Sequence, residues 1–340
     1  MTEMTVLNGV AIEELLTIPM AVEAVEQAYL EKSKGDAALW PMVFHEFDPG
    51  HADLDIKSGD LGGLGFYGLK VVSWFGANPG KGLPALYGTS LLFDLATGAP
   101  RALLNAGPIT DFRTGAAGAI GAKYLARPDA ETLLMAGTGA LAPYLIAATL
   151  YLLPQIKTVY VTNPHHPECS AAACEAITPQ VEKLLSGCGG CHAAIAAAPD
   201  LEKAVRHSDV ILTATPAREP FIKAEWVQPG THISCVGADM SGKQEVDSAL
   251  FASAKVFGDD TAQCLSVGEC EVPYKAGVFS GHICEIGGVI SGAEAGRTDA
   301  SDITIFDSTG IALQDIATAA AHRIAAGGDG DAVQIHRAAA

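Results

Sequence analysis

The sequence predicts an α/β fold organised round a Rossmann-type, doubly wound parallel sheet, and three observations carry that expectation. An apolar strand passes through Gly137-x-Gly139-x-x-Ala142 into an apolar helix within residues 131–148. Further β-branched and apolar runs follow at residues 157–162, 208–215, 231–237 and 255–259, with helical spacers such as Asp200 to His207 between them. Alternation of that kind gives a parallel sheet covered on both faces. The length, 340 residues, exceeds what one hydrophobic core usually supports, so a second domain is expected.

The glycine turn is justified residue by residue. Gly137 allows the tight turn after the strand, Gly139 lets backbone N–H groups approach a pyrophosphate, and Ala142 is small enough for close helix–strand packing. The helix start adds unpaired donors and a positive dipole end, and Pro143 sits where a missing N–H costs little. Thr138, Ala140 and Leu141 complete the cradle expected to hold a dinucleotide. The next strand ends at Asn163, where an acidic residue would favour NAD and a nearby arginine NADP. Asn163, with His165 and His166 beside it, meets neither rule, so the cofactor is NAD or NADP with the choice open. Thr213, Val236 and Gly237, at the ends of later strands, are assigned to the same site.

Three elements precede the turn. Residues 66–74 read as a strand with Lys70 in its middle, and residues 86–94 as another, closed by Thr97-Gly98. Residues 109–125 form a helix made almost wholly of small residues, with Arg113 and Thr114 at its mouth. An arginine and a threonine so placed can hold a carboxylate or phosphate by charge-assisted hydrogen bonds. Taken singly, a surface arginine and a snorkelling strand lysine are the commoner outcomes.

Composition narrows the classes. With 49% hydrophobic and 18% charged residues the chain reads as a globular protein, and a net charge of −18 argues against a nucleic-acid backbone or an anionic membrane as partner. The opening Met1-Thr-Glu-Met-Thr lacks a basic segment followed by an apolar one, and no apolar run reaches membrane-spanning length, so a cytoplasmic protein is expected. Cys188-Gly-Gly-Cys191-His192 matches a haem-attachment pattern by letter, but without an export signal it reads as a loop of reduced thiols. His45, His51, Asp53 and Asp55 lack tight ligand spacing, and no metal is assigned. The Ala/Gly-rich segment 331–340 reads as a flexible tail.

The series Gly68-Leu-Lys70-Val-Val, Gly82-Leu-Pro84, Leu92-Phe-Asp94, Thr97-Gly98, Arg113-Thr114-Gly-Ala-Ala and Lys123-Tyr-Leu-Ala126 resembles the ornithine cyclodeaminase/mu-crystallin family. The likeness continues through the glycine turn, Val236-Gly-Ala-Asp239-Met-Ser-Gly-Lys243-Gln-Glu245 and Ile305-Phe-Asp-Ser308-Thr-Gly310-Ile-Ala-Leu-Gln-Asp315. It implies a homodimer of two-domain subunits. One is an α+β substrate-binding and dimerisation domain, residues 1–118 with 304–330, completed by a returning C-terminal helix; the other is a Rossmann domain, residues 119–303.

The resemblance also implies hydride transfer between a nicotinamide and the α-carbon of a small L-amino or imino acid. Arg113 matches the residue that binds the substrate carboxylate. Lys70 matches a lysine beside the substrate, whose pKa burial would lower. Asp239 matches the residue that exchanges the nitrogen proton, and burial is expected to raise its pKa. Lys243 and Ser308 match cofactor contacts. Many relatives carry an arginine before the Lys70 strand, whereas Trp40-Pro-Met-Val-Phe-His45-Glu46 has no basic residue until His45. Lys57 takes the place of a carboxylate-binding cation in alanine-dehydrogenase-like members, and His45, Thr114 and Thr309 are assigned to the substrate with it. The Gly237-Ala-Asp239 form favours a net amino-acid dehydrogenase or imino-acid reductase. The alternatives are redox-neutral ornithine or lysine cyclodeamination and a mu-crystallin-like dinucleotide-binding role with little turnover.

Overall fold

A computed structural model describes residues 3–189, 192–325 and 332–334. The chain divides into two compact units, 1–113 with 311–340, and 114–310.

The first unit opens with strand β1 (Glu3–Leu7), then helices α1 (Gly9–Leu15) and α2 (Ile18–Lys34). Asn8 caps α1 through Ala11 N–H and Thr17 caps α2 through Met20 N–H; Gly35, at φ 78°, ends α2 in the left-handed conformation that glycine adopts freely. Six strands follow: β2 (Ala37–Leu39), β3 (Val43–Asp48), β4 (Ala52–Leu61), β5 (Phe66–Phe75), β6 (Leu86–Asp94) and β7 (Pro100–Asn105). Helix α3 (Ala106–Leu125) carries the chain across the division between the units.

The second unit runs β8 (Thr132–Ala136), α4 (Ala142–Leu152), β9 (Thr158–Thr162), α5 (Ser170–Leu184), β10 (Ala194–Ala197), α6 (Leu201–Arg206), β11 (Val210–Thr213) and β12 (His232–Cys235). It finishes with β13 (Lys255–Gly258), α7 (Thr261–Val267), α8 (Glu271–Lys275), β14 (Cys284–Glu285), α9 (Ile286–Ser291) and β15 (Thr304–Asp307). Its sheet is parallel throughout, in the order β10-β9-β8-β11-β12-β15-β13-β14. Strands β11, β12 and β15 are buried along their whole length, as a sheet covered on both faces requires. The strand order reverses between β8 and β11, the switch point at which such sheets bind ligands.

The small residues of α3 have a packing reason. A Cβ on Gly115 would lie 2.7 Å from the Tyr144 carbonyl, one on Gly118 would lie 2.6 Å from Leu145 Cδ2, and one on Gly121 would strike Phe306. The three-residue spacing puts all of them on one helix face, which lets α3 seat against α4 and the sheet.

The chain then returns as α10 (Ala312–Ala325) and β16 (Ala332–Gln334), both in the first unit. That unit's sheet is ordered β16-β1-β7-β6-β5-β4-β2, with β3 also pairing β4. Helix α10 lies over a register pair of glycines, Gly59 and Gly68, whose absent Cβ atoms would approach Leu313 to 3.1 Å and Ile316 to 3.3 Å. Within the expected tail, Ala332–Gln334 pair antiparallel with β1, and the remainder lies outside the described residues, as does Cys191. Among the described residues no helix is long and apolar enough to cross a membrane.

Candidate active site residues

At the glycine turn two glycines do different work. Gly137 has φ +130°, and a Cβ there would sit 2.5 Å from Ala214 O, so the fold itself demands glycine. Its N–H donates to Thr162 O at 3.0 Å, tying the turn to β9. A Cβ on Gly139 would meet nothing within 4 Å. Open space there, at the switch point and beside an α4 start that no side chain caps, fits a dinucleotide pyrophosphate held by the backbone of residues 138–141. Asn163 works on the turn itself: its Nδ2 donates to Thr138 Oγ1 at 3.0 Å, and its Oδ1 accepts from His165 and His166 N–H.

Several residues assigned to ligands are hydrogen-bonded to buried carboxylates. Glu245 accepts from Thr213 Oγ1 at 2.6 Å, Thr215 N at 2.6 Å, Thr215 Oγ1 at 2.7 Å and Gly237 N at 3.1 Å. It thereby joins the segments after β11 and β12. Burial pushes its carboxyl up to about 7, against the pull of those donors. Glu269 receives Glu245 N and Val246 N, and burial plus the charge of Glu245 hold its carboxyl well above the usual range. Ser308 and Thr309 donate to Asp259, and Val236 is buried.

Asp239 departs from expectation. Its side chain is 51% exposed and paired with Lys243 at 2.5 Å, the lysine assigned to the cofactor. The segment after β12 turns outward at Asp239, so the burial anticipated for its carboxyl is absent.

The first unit assembles a second group. Lys57 of β4 and Lys70 of β5 are register partners and leave the sheet on the same face. Buried Lys70 donates from Nζ to Asp315 Oδ1 at 3.0 Å and to Thr110 Oγ1 at 3.5 Å. Arg113, also buried, places Nε 3.2 Å from the same oxygen, an ionic contact without a directed hydrogen bond, and donates from Nη1 to Gln314 Oε1 at 2.9 Å. Gln314 Nε2 donates in turn to Tyr29 Oη at 2.7 Å.

The electrostatics of this group follow from burial. Burial lowers the Lys70 pKa to about 8, with Asp315 opposing and Arg113 and Lys57 assisting. Burial would raise Asp315, but Lys70 and Arg113 overcome it and hold the carboxyl below its ordinary value. Lys70 is therefore a buried lysine with a lowered pKa. Thr114, next in α3, is buried, whereas His45 is exposed on β3 with its ring edge against Phe47 at 5.0 Å. Tyr29, Gln314, Asp315, Glu245 and Glu269 carry no local signal of a role in the sequence, although Gln314, Asp315 and Glu245 stand inside the family motifs.

Fold and turn define the class, a dinucleotide-binding α/β protein with a buried cationic group on a second unit. The chain belongs to the ornithine cyclodeaminase/mu-crystallin family, whose model matches residues 2–325. It is 36% identical to an alanine dehydrogenase of Archaeoglobus fulgidus over 93% of each chain. An archaeal alanine dehydrogenase dimer with bound NAD superposes with a TM-score of 0.84, at 35% identity over 98% of this chain and 100% of that one. The Δ1-pyrroline-2-carboxylate reductase of Thermococcus litoralis, in complex with NADH and L-proline, superposes with a TM-score of 0.85, at 30% identity over 98% of this chain and 100% of that one.

Proposed function

We propose that this protein transfers a hydride between NAD or NADP and the α-carbon of a small L-amino acid or its imine, as an amino-acid dehydrogenase or imino-acid reductase. The observation that carries the reading is the buried meeting of Lys70, Arg113 and Asp315. A bound nicotinamide supplies or accepts the hydride. Backbone groups of residues 138–141 hold its pyrophosphate, and Lys243 and the segment 236–239 belong to the same site. Arg113 and Lys57 bind the substrate carboxylate, the first by a planar fork and the second as a point charge. Lys70, with a pKa of about 8, exchanges a proton with the substrate nitrogen near neutral pH. Asp239, carried beside Lys243, is the second proton-exchanging group.

The subunit pairs with a second copy of itself. Support comes from β3, exposed along its whole length and carrying the exposed apolar side chains Val43, Phe44 and Phe47, the last stacked on exposed Phe75. The alanine dehydrogenase superposed above is itself a dimer. The reduced thiols among the described cysteines suit the cytoplasm.

The test is an absorbance screen at the nicotinamide band, with NADH or NADPH, a panel of 2-oxo acids plus ammonia or methylamine, and preformed cyclic imines. Net oxidation of the dinucleotide supports the reading. Ammonia release from ornithine or lysine without net dinucleotide turnover would replace it with cyclodeamination, and silence in every arm would end it.

A further inference from the structure

The C-terminal helix α10 delivers two adjacent side chains, Gln314 and Asp315, to the two cations on which the proposed reaction depends. We propose that Asp315 is a positioning residue for that reaction. Held over β4 and β5 by α10, it fixes Arg113 and Lys70 in place and supplies the counter-charge against which Lys70 works. The inference rests on the functional reading above and extends it to a residue that never needs to touch substrate.

A buried ion pair kept for stability alone would look different. Arginine and carboxylate would meet in a two-oxygen fork, which is the strong geometry for that pair. Here one oxygen, Oδ1, serves both Lys70 and Arg113, while Arg113 Nη1 is drawn aside to Gln314. Asp315 Oδ2 is buried without a hydrogen-bond partner among the described residues. Desolvating such a group returns little net stability. What the arrangement does provide is placement. Gln314, itself anchored on Tyr29 of α2, and Asp315 grip Arg113 at Nη1 and Nε, and the seat of α10 on the glycine pair sets their height above the sheet.

The groups facing Lys70 can be named element by element. Lys57 stands opposite on β4, neutral Ser90 stands opposite on β6, Thr110 and Arg113 come from α3, and Asp315 comes from α10. Asp315 is the acidic partner of Lys70 in this group, and Lys57 and Arg113 both repel its ammonium. Loss of the carboxylate charge therefore favours the neutral amine.

The experiment compares Asp315→Asn with the parent in two ways. In turnover, the limb of the pH profile that titrates near 8 should move down by about one unit or more in Asp315→Asn. Asp315→Glu keeps the charge, so its limb should stay near the parent's while KM rises from misplaced cations. A limb unmoved in Asp315→Asn, with only lower amplitude, overturns the proposal, as does a limb moved equally in both variants. The second measurement needs no turnover: a urea-unfolding cycle of Asp315→Asn and Lys70→Met across pH 6–10. Coupling between the two sites should be largest below pH 8 and fade as Lys70 loses its proton. Coupling that is flat with pH also overturns the proposal. If no amino or imino acid reacts, the functional reading fails by itself while the unfolding cycle still decides the role of Asp315.

Discussion

Gly139→Val and Gly137→Ala should fail in opposite ways, because one glycine faces empty space and the other faces backbone. At Gly139 an added Cβ meets nothing within 4 Å, and loss of glycine's unfolded-state freedom offsets part of any backbone cost. Folding stability should stay within about 1 kcal/mol of the parent. The valine methyls instead fill the space where the N–H groups of the turn reach a pyrophosphate. Losing two such bonds to a charged group, at roughly 1.5–3 kcal/mol each, predicts about 3–6 kcal/mol, or roughly two to four decades in Kd. At Gly137, φ of +130° strains any other residue, and the new Cβ would press on Ala214 O. Strain of that kind costs about 1–3 kcal/mol, with a fall in Tm of about 2–4 °C for each kcal/mol in a unit of this size. The assays are NADH fluorescence titration and thermal unfolding of each variant. NADH affinity unchanged in Gly139→Val would refute the assignment of the turn, and a Tm that collapses in Gly139→Val would show that the open space was misjudged.

Two further outcomes are expected. Glu245 and Asp307 rise to about 7 and Glu269 well above its usual value, in each case chiefly through burial, so the folded protein retains protons that the unfolded chain has released. That contribution to stability is full below about pH 4 and is lost as pH rises through about 7; urea midpoints should fall from pH 5 to 8, and Glu269→Gln should flatten the fall, whereas a midpoint rising over this interval would count against the assignment. In catalysis, Arg113→Ala and Lys57→Ala should lose about 2–4 kcal/mol of transition-state binding, largely as raised KM, while Lys70→Met and Asp239→Asn should lose roughly two to four decades of turnover at near-normal cofactor affinity; full turnover in Asp239→Asn across pH 6–9 would remove Asp239 from the proton path and leave Lys70 to carry it.

The Rossmann unit was legible where backbone geometry dictates residue type. Strands β8, β9, β11, β12 and β13 fall on the apolar runs, because a strand buried on both faces admits few polar residues. Strand β15 was harder: it reaches the middle of the sheet from far along the chain, and only the family likeness drew notice to Ile305 and Phe306. The first unit was less legible still. Strand β3 is exposed along its length, so no burial pattern marks it. Strand β5 was legible as a strand over residues 66–74, but β4 alternates weakly, and its Gly59 resembles a turn residue until α10 is seen resting on the Gly59–Gly68 pair.

The active-site residues divide along the same physical line. Lys70 and Arg113, each unremarkable alone, could be singled out because the family's motifs run through both; α3 starts at Ala106, so Arg113 lies about two turns inside that helix and not at its mouth as expected. Asp315 could not, since an acidic residue in the first turn of a helix is what any helix N-terminus favours, and that ordinary explanation conceals the other one. Its partner Lys70 lies 245 residues earlier, beyond any local pattern. Asp239 shows the reverse error. A strand-end aspartate next to a motif glycine suggests burial, yet the chain turns outward there and Lys243 neutralises it four residues on. Charge in a sequence indicates where a proton could be handled, but burial and the charged partners that burial brings set its pKa, and both are decided by what packs on top. In this protein that is α10: by covering β4 and β5 it helps to bury Lys70, whose pKa falls to about 8, and places Asp315 beside it.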